Sequence, residues 1–157
     1  MSMTDTITMR RAVAADAAAV RALTREAYQK WVAVTGREPL PMRVDYDEAL
    51  ARNRFDLLEE NGVLVALIET LSERGDFLIV NVAVSPAHQK RGLGRRLLAH
   101  AEELARAAGH DEVRLYTNSL MTPNIALYQR LGYRITREEG ELPRIQVHMS
   151  KPLAAST

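Results

Sequence analysis

The chain has 157 residues, 21 Lys plus Arg against 20 Asp plus Glu, a net charge of +1, no Cys and a hydrophobic fraction of 46%. That size reads as one domain over residues 1–157 with its core over about 7–150, and the lack of Cys excludes a disulfide framework, a zinc ribbon and a thiol nucleophile. Near-zero charge offers no broad field for nucleic acid, and no apolar run approaches a signal peptide or the ~20 residues of a membrane helix, so a soluble cytoplasmic protein is expected.

Hydrophobic spacing predicts short strands alternating with amphipathic helices. Residues 7–13 read as a strand. A helix follows, with Asp16 near its start and Val20, Leu23, Ala27 and Trp31 on one stripe, until Gly36, Pro39 and Pro41 break it. A short helix over 45–52 leads to a strand at 55–60. Asn61-Gly62 then marks a hairpin, because both residues tolerate positive φ, and 63–70 is the returning antiparallel strand. Residues 77–84 are apolar on both alternating faces except for Asn81, as in a central strand covered on both sides. After a loop over 85–91, Leu93, Leu97, Ala101, Leu104 and Ala108 repeat at helical spacing up to a cap at Gly109. A strand at 112–117, a helix with Thr122 as N-cap and Pro123 at its first position, and strands at 133–137 and 145–150 complete the chain. The fold class is mixed α/β, and the crossover helix should make its flanking strands parallel.

Two segments carry candidate chemistry. Gln89-Lys90-Arg91-Gly92-Leu93-Gly94 joins the central strand to the long helix, where free N–H groups and a partial positive charge favour a pyrophosphate, with Arg95 and Arg96 adding charge. It lacks the Lys-Ser/Thr of a Walker A loop and the three-glycine dinucleotide spacing; the same residues also suit a tight turn with a solvated basic face. Downstream, Asn124 and Tyr128 lie four apart on one helical face. A carboxamide can hold peptide-like groups and a phenol can protonate a departing thiolate, although Tyr128 also suits simple packing beside Leu127 and Leu131.

Together, Val84, Gln89, Gly92 and Gly94 ahead of a long helix, then Asn124, Tyr128 and Leu131-Gly132-Tyr133, resemble the two motifs of the GNAT superfamily of acetyl-CoA dependent N-acetyltransferases. The resemblance implies a mostly antiparallel sheet with a central splayed parallel pair flanked by helices. It implies acetyl-CoA held by main-chain groups of the Val82-Ala83-Val84 strand and by N–H groups from Gln89, Lys90, Arg91, Gly92, Leu93, Gly94 and Arg95, with Lys90 or Arg91 reaching the outer phosphate. Asn124 would bond the cofactor arm and Tyr128 would protonate the thiolate.

The strand that contacts the cofactor offers Asn81 where relatives often place a Glu, so the base stays open among Glu69, Asp45, Tyr116, Asn118 and His148. The acceptor pocket is expected near Arg37, Asp45 and Tyr46, with Asn81 and Tyr116. The implied function is acetyl transfer to a primary amine, on a small molecule or peptide, by direct attack in a ternary complex; the alternative is a non-catalytic acetyl-CoA binding or sensing module. The resemblance leaves room for a homodimer. Nucleic-acid binding ranks lower, because no stacking aromatics accompany the basic cluster.

Overall fold

A computed structural model describes residues 7–154. The elements are β1 (Ile7–Arg11), α1 (Ala17–Thr35), α2 (Tyr46–Arg52), β2 (Arg54–Glu60), β3 (Val63–Glu73), β4 (Asp76–Val84), α3 (Leu93–Ala107), β5 (Glu112–Asn118), α4 (Thr122–Arg130), β6 (Arg134–Glu139) and β7 (Gln146–Pro152). This is the order expected from the hydrophobic spacing. The strands form one seven-stranded sheet in the order β1-β2-β3-β4-β5-β7-β6. Neighbours are antiparallel except β4 and β5, which the α3 crossover makes parallel.

Most boundaries shift by one or two residues, and three of the differences have a clear local reason. The first strand stops at Arg11, because Asp16 Oδ2 accepts the Val13 N–H at 2.7 Å and draws the chain into a 3-10 turn. The third runs on through Ser72 and Glu73, polar residues that pair with Phe77 and Asp76 around the Gly75 turn. Thr122 lies inside α4 rather than capping it; the cap position is Met121, and Asn118 Oδ1 accepts the Leu120 N–H at 2.8 Å just before it.

Apolar side chains cover both faces of the sheet. On one, Leu93, Leu97, Leu98, Ala101 and Ala105 of α3 pack on Ala66, Ile68, Phe77, Ile79 and Leu115. On the other, Val20, Leu23 and Ala27 of α1 pack on Leu57, Leu67 and Ala83. β4 contributes to both because of a bulge: Glu69 pairs with Asn81 and Thr70 with Ile79, which leaves Val80 unmatched. The extra residue reverses the in-out alternation, so Phe77 and Ile79 point to α3 whereas Ala83, and with it Asn81, point to α1.

Candidate functional site

Among the described residues, β4 and β5 pair only at Leu78/Arg114 and Ile79/Leu115 and then diverge. Beyond that point β4 has a paired strand only on its β3 side among the described residues, where the Ser85 N–H donates to the Val65 carbonyl at 2.8 Å. Antiparallel alternation turns the main chain of Ala83 to β3 as well, and that of Val82 and Val84 into the gap. There the Val82 carbonyl accepts from the Tyr28 hydroxyl at 3.4 Å and the Val84 carbonyl from Gln89 Nε2 at 3.2 Å. The gap is therefore edged by main-chain groups outside any strand ladder.

At the end of β4 the chain makes a 3-10 turn over Pro86–His88 and enters α3 through two left-handed residues, Lys90 (φ 66°) and Gly92 (φ 78°). Gly92 is the N-cap and supplies no side chain, so the first-turn N–H groups of α3 receive no side-chain cap. A Cβ on Gly92 would meet nothing within 4 Å; glycine is needed there for its positive φ. The basic side chains around this loop divide. Arg91 pairs with Glu60 at 2.7 Å, holding that carboxyl below its ordinary pKa, and Glu60 also lies 3.3 Å from His88 Nε2. Gln89 bridges Lys30 and the Val84 carbonyl. Arg91 is thus engaged in bracing the loop, whereas Lys90 and Arg95 are exposed beside the α3 N-terminus.

Opposite the open edge of β4, α4 presents Asn124 and Tyr128 to one cavity of about 240 Å³. Tyr128 packs edge-on against Tyr133, with ring centroids 5.9 Å apart, and its hydroxyl has no hydrogen-bond partner among the described residues. Loss of water around it pushes the phenol up to about 12, so it is neutral at any physiological pH. Asn124 approaches Met121 Sδ at 3.9 Å, a weak contact that leaves its amide available.

The same cavity gathers Arg37, Tyr46, Asn81 and Tyr116, all expected at the acceptor pocket. Asn81 and Glu69 are cross-strand partners on its floor. The Tyr28 hydroxyl donates to Asn81 Oδ1 at 2.7 Å, while Asn81 Nδ2 is buried without a partner, an unfilled donor. Glu69 accepts from Asn53 Nδ2 at 2.7 Å, and burial raises its carboxyl above the usual carboxylate range. Tyr46 is fixed by its hydroxyl, which donates to the Pro41 carbonyl at 2.7 Å.

Asp45 does not line the cavity. It caps α2, its carboxylate accepting the N–H groups of Asp47 and Glu48. Asp45→Ala is therefore expected to cost about 1 kcal/mol of stability, a melting shift of roughly 2–4 °C, and to leave acceptor KM unchanged. A raised KM with an unchanged melting temperature would give Asp45 a place at the acceptor instead. His148 also lies off the cavity wall, its Nε2 2.6 Å from Glu139 and its ring 5.7 Å from Tyr116. Tyr28 was not singled out by sequence reasoning: it flanks the α1 stripe beside Ala27, and only a partner 53 residues away reveals its role.

Residues 18–133 match the sequence profile of the acetyltransferase (GNAT) family. The chain is 32% identical over 129 residues to mycothiol acetyltransferase of Clavibacter sepedonicus, covering 74% of this chain and 42% of that protein. It is 33% identical over 76 residues to the ribosomal protein bS18 alanine N-acetyltransferase of Escherichia coli, covering 48% of this chain and 51% of that one. The chain thus spans about half or less of the length of these relatives. Its fold is similar to that of PaiA N-acetyltransferase from Thermoplasma acidophilum, solved in complex with coenzyme A, with a TM-score of 0.82 at 19% identity over 93% of this chain and 98% of that one.

Proposed function

The chain belongs to the GNAT acetyltransferase family, and on that premise we propose that it moves an acetyl group from acetyl-CoA to a primary amine by direct attack within a ternary complex. The observation that carries this reading is the convergence on one cavity of an unladdered strand edge, a neutral phenol and a buried carboxyl. The residues present suit the cofactor. An uncapped helix N-terminus with a left-handed glycine fits a pyrophosphate, and the Val82 and Val84 main chain, outside any strand ladder on its gap side, fits an extended amide-bearing arm.

When bound, acetyl-CoA supplies an activated acyl carbon and a thiolate leaving group. The main-chain N–H groups on the gap side of β4 are suited to stabilise the developing oxyanion. Asn81 offers Nδ2 to a water or ligand oxygen on the cavity floor. Glu69, once ionised, takes the ammonium proton of the acceptor through such a water. The Tyr128 hydroxyl donates a hydrogen bond towards the departing sulfur. With no Cys in the chain, an acetyl-cysteine intermediate has no residue to form on.

Thiol release from acetyl-CoA should appear with at least one class of primary amine. Because burial raises the Glu69 carboxyl, its base form grows in only above the ordinary carboxylate range, so kcat/KM should climb with pH through that shifted midpoint. Glu69→Gln should retain acetyl-CoA binding, lower kcat/KM by about 10²-fold and lose that acidic limb. The same raised pKa means that the folded state holds this proton more tightly than the unfolded chain. Its contribution to stability is present below the unfolded value and lost as pH rises through the folded one. Acetyl-CoA binding with no release for any amine would turn the reading to a sensing module.

A further inference from the structure

The cavity carries an excess of positive charge that the transfer chemistry does not use. Arg37 and Arg43 of the α1–α2 connection and Arg144 of the β6–β7 connection line it, all of them exposed where the cavity meets solvent. Arg37 follows the Gly36 cap of α1, where the Gly36 N–H donates to the Val32 carbonyl and the Thr35 hydroxyl lies 2.8 Å from the Arg37 carbonyl. Arg43 closes a 3-10 turn anchored by the buried Met42, whose carbonyl accepts from Arg25 at 2.7 Å. Arg144 ends the β6–β7 connection, its N–H donating to the Glu141 carbonyl at 2.7 Å.

None of the three has an ion-pair partner among the described residues. The acids on the same wall are otherwise engaged: Glu38 pairs with Arg25 at 2.7 Å, and Glu69 is buried against Asn53. Partial loss of water, then the charges of Arg144 and Arg43, hold the Arg37 guanidinium below its ordinary pKa. Like charges gathered at one opening repel each other, and in a chain of net charge +1 this is a local excess. A guanidinium fork matches the planar, paired oxygens of a carboxylate or phosphate.

We propose that the acceptor is a small amine with an anionic far end, a carboxylate or a phosphate, which docks among Arg37, Arg43 and Arg144 while the amine lies against Asn81 and Glu69. A polyamine would meet the same three charges as repulsion. This rests on the acetyl-transfer reading above and adds the acceptor's charge to it.

The test uses matched acceptors: β-alanine against β-alaninamide for the carboxylate, phosphoethanolamine against ethanolamine for the phosphate, and spermidine as the cation. Thiol release is measured on wild type, Arg37→Ala, Arg144→Ala and the double variant Arg37→Glu/Arg144→Glu. In wild type at least one anionic member should exceed its neutral partner in kcat/KM by about tenfold or more, the scale of a charge-assisted hydrogen bond. Added salt should shrink the preference, each single variant should weaken it, and the double variant should abolish it. Which pair responds tells carboxylate from phosphate. Acetyl-CoA affinity and melting temperature should match wild type throughout, because the arginines are exposed and lie on elements other than the α3 loop. Calorimetry with the same amines, on free and coenzyme A loaded protein, reads the charge preference even without turnover. Failure of thiol release would thus count against acetyl transfer alone, whereas failure of every anionic amine to bind would overturn the anionic acceptor. So would a preference for neutral or cationic amines, a preference that survives the double variant, or variants that lose acetyl-CoA as strongly as the acceptor.

Discussion

Tyr128→Phe is expected to lower kcat by about 10²-fold with acetyl-CoA affinity unchanged, the lower end of the usual range for a lost general acid. The hydroxyl has no partner among the described residues, so its removal orphans nothing, and the ring keeps its edge contact with Tyr133. The lower end is chosen because of the proton's affinity. A phenol pushed up to about 12 holds its proton more tightly than a thiol of pKa about 8.5 would, so the main contribution is a hydrogen bond to the departing sulfur rather than complete transfer. For the same reason the deficit should be flat from pH 6 to about 9, where the wild-type phenol stays protonated and the variant has no group there to titrate. Paired kcat and Kd measurements check this; a Phe variant with full kcat would show that the sulfur is served by another donor or by none.

Gly92→Val should remove the stabilisation that acetyl-CoA gives the wild type, about 2.7 kcal/mol at a ligand concentration a hundred times Kd, or a melting shift of roughly 5–11 °C. The physical cause lies in the backbone. Gly92 sits at φ 78° with open space where a Cβ would go, so valine introduces no clash within the chain but strains a left-handed cap by about 1–3 kcal/mol. Relief of that strain turns the first N–H groups of α3 away from their common direction. Gly75, at the same φ of 78° and equally unobstructed in the β3–β4 turn, is the control. Gly75→Val should lower the melting temperature of the free protein to a similar extent yet keep the full ligand shift. If Gly92→Val also kept it, the anion would bind elsewhere.

Much of the architecture was legible because the hydrophobic period switches clearly between strand and helix, and because a helix between Val84 and Glu112 leaves a parallel pair as the natural outcome. The loop at Gly92 was legible from its place between a buried strand and a helix. The bulge at Val80 was not. A strand apolar on both faces has no alternation to disturb, so one extra residue leaves no mark in the sequence, and the face taken by Asn81 stayed hidden with it. Arg91 looked like part of a free basic cluster until the fold set it against Glu60, 31 residues earlier. The meeting of Arg37 and Arg43 with Arg144 is invisible for the same reason: only tertiary structure brings those segments to one opening.

The two-rung contact between β4 and β5 also has a mechanical meaning. Strands β1 to β4 form one continuous antiparallel leaf, and β5, β7 and β6 form another. Among the described residues, Leu78 and Ile79 against Arg114 and Leu115 are the only rungs between the leaves, a hinge at one end of a wedge. α3 packs beneath both, like a strap across the hinge. An extended ligand arm seated along Val82 and Val84 would act as a spacer in that wedge, resisting both closure and further opening. The leaf edges should then be the segments whose amide exchange slows most on ligand binding, and the wedge angle a degree of freedom that the fold leaves compliant until it is filled.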